Sequence, residues 1–192
     1  MKQADHRALA RYFLQYPDPG FWNNRRHRRA FYIGNLLPDY NPLTYLRGIG
    51  RSHGMKGHDA PYRQCYIARR MGILRSKKRL STRDFYILGT LIHYTADAFT
   101  WVHNGGADCS MRMHRDYERA LHVALSQGWE GMNGAVLSPS PHAWQTYLAL
   151  WQRNRAPRGD VERDRQWILA SSRALFCAFL WRRFFEKNEK RT

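Results

Sequence analysis

Acidic residues are scarce in this chain: 15 Asp and Glu stand against 32 Lys and Arg, a net charge of +17 over 192 residues. Arginine carries almost all of that excess, and its planar fork suits phosphate groups, so a polyanionic substrate or partner is expected. Cysteine is scarce too. Cys65, Cys109 and Cys177 are an odd number at unrelated spacings, which excludes a disulfide framework and a CxxC zinc knuckle and fits a reducing compartment. No apolar run is long enough to span a bilayer. The opening MKQADHRALARYF has no apolar stretch followed by small residues, so no signal peptide is expected. A cytoplasmic protein follows as the expectation, with peripheral contact to anionic lipid open to its basic surface. Internal repeats and an obvious linker are absent, so residues 1–192 read as a single domain.

What is present is apolar material enough for a core, 43% hydrophobic residues with 14% aromatics, which excludes a disordered chain despite the charge. The periodicity is helical throughout, with no alternating strand or hairpin signal, and the fold class expected is all-α. Helices are predicted over about residues 5–16 and 23–33. A loop follows, GNLLPDYNPLTYLRG, punctuated by Gly34, Pro38, Pro42 and Gly48, and then an irregular stretch reaching Asp59. Further helices are predicted over about 61–71, 112–127, 141–153 and 160–185. The clearest start is Ser81-Thr82-Arg83-Asp84, a capping-box pattern. It opens a segment apolar on nearly every side, DFYILGTLIHYTADAFTWV, which marks a central buried helix.

On that helix His93 and Asp97 stand four residues apart and project from one face. His103 follows six residues later, at the helix end, where it can fold back toward the same place. On the next helix His114 and Glu118 repeat the four-residue spacing. Two such pairs on consecutive helices can converge on adjacent metals. Nitrogen and carboxylate donors without thiolate suit zinc, with manganese or iron behind it. Buried Asp and His on an apolar helix are costly unless paired or metallated. The alternative is a hydrogen-bonded core pair and a surface ion pair at Glu118. Tyr94, Phe99 and Trp101 can shape a pocket there, although aromatics at helical spacing more often fill a core. His122 continues the His114–Glu118 face and reads as a supporting residue rather than a ligand. His27 and His142 read as surface residues.

The string LGTLIHYTADAFTWVHN, with the following HRDYERALH, resembles the bacterial zinc-dependent phospholipase C family. GNLLPDYNPLTYLRG and KGHDAPY upstream resemble that family's G-x-x-x-P-D and GH[ND] segments. The resemblance runs from His6 to about His122, nearly two thirds of the chain. It implies an all-α bundle that hydrolyses phosphate esters with two zinc ions and a third. By that resemblance His93, Asp97, His58 and Asp39 hold one zinc, and His103, His114 and Glu118 a second. Asp97 contributes to more than one ion. His6 serves the third site with the mature amino terminus, although the secreted enzymes expose a tryptophan there and this chain begins Met1-Lys2-Gln3. Asp39 is implied as ligand and general base. His53 remains the alternative to His58, which has the better-matched Gly57-His58-Asp59 context. Phospholipid is the implied substrate. The fold is shared with helical single-strand zinc nucleases, so a nuclease is the rival, and a non-catalytic metal-stabilised binder of anionic membrane or nucleic acid is a rival of another class.

Overall fold

The computed structural model describes residues 1–15, 22, 24–40, 60–103, 110–131, 137–154 and 159–181. Among them are seven α-helices and no strand: α1 (Gln3–Leu14), α2 (Arg25–Tyr40), α3 (Ala60–Ser76), α4 (Thr82–Ala98), α5 (Met111–Gly131), α6 (Ala143–Arg153) and α7 (Val161–Leu180). The all-α class is thus observed. None of the described helices is long and apolar enough to cross a membrane.

α4 is the axle of the bundle and packs against α1, α2, α3 and α7. Its first turn is closed as its sequence predicts: Asp84 Oδ2 accepts from the Ser81 amide and the Ser81 hydroxyl, both at 2.8 Å. From Leu88 through Ala98 every residue is buried. The far end is capped from outside, because the Asn154 amide donates to the Ala98 carbonyl at 2.8 Å. Around this axle Leu9, Phe13, Phe31, Ile67, Met71, Leu91, Phe176 and Phe179 form a continuous apolar core. Each of these side chains contributes on the order of 1.5–3 kcal/mol by leaving water.

The loop expected after Ile33 is instead helix. α2 continues to Tyr40 straight through Gly34 and Pro38. Gly34 is needed for proximity, not for a turn: a Cβ there would lie 2.0 Å from the Tyr86 carbonyl oxygen. Gly89 plays the same part from the other side, since its Cβ would lie 2.1 Å from the Phe31 carbonyl oxygen. The backbones of α2 and α4 therefore touch where they cross. Pro38 brings no N–H for the Gly34 carbonyl one turn back, and the Thr90 hydroxyl on α4 meets that carbonyl at 3.2 Å. This close crossing carries the end of α2, with Asp39, to the face of α4 that bears His93.

The C-terminal helix is described as Val161–Leu180, and its predicted span past Trp181, to Phe185, lies beyond the described residues. The irregular stretch expected before Asp59 lies outside the described residues, and so do His53 and His58.

Candidate metal centre

Four side chains from three helices meet at the α2–α4 crossing. His6 comes from α1, Asp39 from the last turn of α2, and His93 and Asp97 from adjacent turns of α4. One ligand atom from each lies within 4.8 Å of the others. His6, His93 and Asp97 are buried, while Asp39 keeps part of its side chain exposed. His93 Nε2 is 3.2 Å from Asp97 Oδ2 and 3.5 Å from Asp39 Oδ1. His6 Nε2 is 3.2 Å from Asp97 Oδ1 and 3.9 Å from Asp39 Oδ2. The two imidazoles stack at 3.9 Å between centroids. The other nitrogen of His93, Nδ1, lies 2.9 Å from the Asn35 carbonyl oxygen and donates to it, so Nε2 carries the lone pair. That hydrogen bond is the outer support a metal-ligating histidine ordinarily has.

A second group lies one step further along the chain. After α4 the backbone tightens into a short 3₁₀ turn, Trp101–His103, which folds His103 back toward α5. There His103 Nε2 and His114 Nε2 are each 3.4 Å from Glu118 Oε1. The amine of Met1 sits between the two groups, 3.1 Å from Asp97 Oδ1, 2.9 Å from Glu118 Oε1 and 3.4 Å from His103 Nε2. Asp97 thus turns Oδ1 toward Met1 and His6 and Oδ2 toward His93. The resemblance assigned His6 to a third position with the amino terminus. Here His6 and the Met1 amine do share one oxygen of Asp97, and His6 also shares a group with Asp39 and His93. Of the residues the sequence nominates, His6, Asp39, His93, Asp97, His103, His114 and Glu118 gather in these two groups. His58 lies outside the described residues.

The separations within the two groups are ones a shared zinc ion can span. Two donors on one zinc ion, each about 2.1 Å from it, lie roughly 3.4 Å apart at the tetrahedral angle. A direct charge-assisted hydrogen bond draws its atoms to roughly 2.7–2.9 Å. All six histidine–carboxylate separations in the two groups fall between 3.2 and 3.9 Å. Away from them, ion pairs range from 2.6 Å at His122–Asp5 through 3.2 Å at Arg163–Asp164 to 3.9 Å at Arg112–Asp116, so it is the convergence of several donors, not length alone, that marks the two groups. Protonation states agree with the same reading. Burial pushes His6 down to about 3, with neighbouring His93 adding to the effect, so its imidazole is neutral. Burial also lowers His103. Burial would raise Glu118, but hydrogen bonds to His103 and His114 and the nearby Met1 ammonium outweigh it and hold the carboxyl well below the usual range. Neutral imidazole and ionised carboxylate are the forms that bind a divalent cation. Burial pushes the Met1 ammonium down, and Asp97 and Glu118 outweigh that to hold it up at about 11. A divalent ion at these carboxylates would compete with that proton for the amine. Donor types and spacing fit zinc, and so do the shifts of His6, His103 and Glu118.

Two supports for the site were not visible in sequence. Asp164, buried at the start of α7, accepts the Trp101 amide at 2.6 Å and the Tyr117 hydroxyl at 2.7 Å. It thereby ties the turn that carries His103 to the helix that carries Glu118. Asp5 accepts from the Lys2 amide at 3.2 Å and from His122 at 2.6 Å, which fastens the first residues of the chain to α5. In sequence both aspartates look like common first-turn acids. Of the aromatics, Tyr94 and Phe99 are buried, and Phe99 packs among Tyr147, Trp151 and Trp167, so it is core. Trp101 packs on Tyr117.

Comparison with curated proteins and with solved structures finds no match. A family model described as zinc-dependent phospholipase C matches residues 5–161, which takes in every described residue of both groups except Met1. The chain therefore belongs to the zinc-dependent phospholipase C family.

Proposed function

We propose that the two groups hold zinc and that the protein hydrolyses a phosphodiester, with phospholipid as the substrate class. The observation that carries this is convergence: one ligand atom from each of His6, Asp39, His93 and Asp97, and likewise of His103, His114 and Glu118, lies within 4.8 Å of the others in its group, separations that zinc can span. His6, Asp39, His93 and Asp97 would hold one ion, and His103, His114 and Glu118 another. In the alternative that the family resemblance implies, His6 would leave the first set and join the Met1 amine in holding a further ion beside Asp97. Bound there, zinc neutralises phosphate charge and lowers the pKa of a water toward neutrality.

The chain's own groups do the rest. The Asn35 carbonyl holds the His93 ring so that Nε2 faces the carboxylates. Asp97 is fixed by neighbours on both oxygens, so substrate binding need not reorder it. Asp39 has 13% of its side chain exposed against 2% for Asp97, which makes it the carboxylate of its group best able to reach an incoming water and accept its proton. The charge of +17 favours one rival, a single-strand nuclease on the same scaffold.

The test pairs elemental analysis with turnover of phosphatidylcholine vesicles and of short single-stranded DNA, for wild type, Asp97→Asn and Asp39→Asn. The reading expects zinc and lipid turnover in wild type, loss of both in Asp97→Asn, and in Asp39→Asn turnover reduced by roughly a hundredfold or more, the size of a general-base contribution. Bound zinc with turnover of DNA alone would reassign the substrate. Zinc-free protein would end the proposal.

A further inference from the structure

α2 carries a second pattern that the metal centre does not use. Its inner stripe, Ala30, Phe31, Gly34, Asn35 and Pro38, is buried against the bundle. Its outer stripe, Arg26, Arg29, Ile33, Leu37 and Tyr40, recurs every three or four residues and is exposed along its whole length. Ile33 and Leu37 are each 38% exposed and Tyr40 57%. Arg25 flanks the stripe at its basic end, while Arg28, exposed at the helix start, lies on the side of Phe31 and Asn35. No carboxylate among the described residues pairs with Arg25, Arg26, Arg28 or Arg29, whereas on α5 and α7 Arg119 pairs with Asp116, Arg163 with Asp164 and Arg165 with Glu162. His27 stacks on Phe85 at 4.2 Å, which sets this basic turn against the first turn of α4, near exposed Arg83.

We propose that the outer face of α2 is a docking surface for anionic phospholipid bilayer, with Arg25, Arg26 and Arg29 on the headgroups and Ile33, Leu37 and Tyr40 entering the interface. Cationic and apolar residues aligned on one exposed helical face are the pattern of a helix that lies in the interface plane, and arginine stems can bury while their heads stay with phosphate. A nucleic acid would satisfy the arginines and leave Ile33 and Leu37 without a complement, which favours lipid. The stripe also has a direction: it ends at Tyr40, the residue after Asp39. Docked this way, α2 would set the solvent-reachable edge of the metal centre at the headgroup layer. In that respect the proposal rests on the phospholipid reading above and deepens it, while the binding itself can be measured separately.

The experiment is surface plasmon resonance on captured vesicles of phosphatidylcholine, and of phosphatidylcholine mixed with phosphatidylglycerol, at low and high salt. Wild type is compared with the triple variant Arg25→Ala, Arg26→Ala, Arg29→Ala and with the double variant Ile33→Glu, Leu37→Glu. Unfolding temperature and zinc content serve as controls for folding. Wild type should prefer the mixed vesicles and weaken with salt. Removing the arginines should lower affinity roughly fivefold for each one lost, and the double variant should lose at least about tenfold even at low salt. Variants that fold and bind as wild type does would overturn the proposal. So would a wild type that ignores the mixed vesicles yet binds single-stranded DNA. Docking through α2 by a protein that turns over no phosphodiester would sustain the surface and sink the hydrolase reading instead.

Discussion

His122 Nδ1 lies 2.6 Å from Asp5 Oδ1, joining the eighth residue after His114 on α5 to the first turn of α1. The pair sits outside both metal groups, but it holds in place the chain end that enters them. Asp5 is buried, and its other oxygen accepts from the Lys2 amide.

Removing the imidazole should therefore cost stability without costing metal. His122→Ala leaves a buried carboxylate short of one partner, a loss of about 1–2 kcal/mol once the partial exposure of His122 is allowed for. Differential scanning calorimetry should show the unfolding temperature fall by roughly 2–8 °C. Zinc per mole of protein should stay unchanged. Loss of a whole zinc equivalent would make His122 a ligand and the present assignment wrong.

The contact of α2 with α4 depends on two missing side chains. Gly89→Ala would drive a methyl into the Phe31 carbonyl and Gly34→Ala one into the Tyr86 carbonyl, and rigid backbone lies behind both. Each should destabilise by about 2–4 kcal/mol and weaken zinc binding, because separating the helices pulls Asp39 from His93. Gly72 supplies the control. Nothing lies within 4 Å of a Cβ built there, so Gly72→Ala should be neutral or stabilising by up to about 1 kcal/mol. Chemical denaturation of the three variants side by side checks this, and equal effects at all three sites would refute the close-crossing account.

Asp84 gives a pH dependence remote from the metals. Burial would raise its pKa, but Lys77 at 2.6 Å and the Ser81 amide and hydroxyl outweigh that and hold it below the ordinary value. A carboxyl lowered in the folded state stabilises fully above its unfolded pKa of about 3.9, and that stabilisation is lost as pH falls through the folded pKa. Asp84→Asn should accordingly cost about 1–2 kcal/mol at pH 7, and the gap to wild type should narrow below about pH 4. Urea titrations across that range test it. A gap that widens on acidification would reverse the assigned sign.

How far the sequence could be read differs from residue to residue, for physical reasons. The Ser81–Asp84 cap and the His93–Asp97 and His114–Glu118 spacings are local patterns, and helix geometry alone brings their members together. α4 and α5 were legible on that account. Gly34 and Pro38 misled, because both residues commonly end helices. What kept α2 helical was the tertiary contact with Tyr86 and Thr90, which local propensity does not encode. Asp5 and Asp164 were illegible as supports because their partners lie 117 and 63 residues away. The family resemblance supplied Asp39 and His6, which no spacing within one helix would have linked to His93.

The most direct test of the account is a crystal of the zinc-loaded protein measured on both sides of the zinc absorption edge. The account predicts anomalous peaks about 2.0–2.2 Å from the side-chain donors of His6, Asp39, His93 and Asp97, and of His103, His114 and Glu118. A difference map without a peak at either group, from protein that elemental analysis shows to carry zinc, would contradict it.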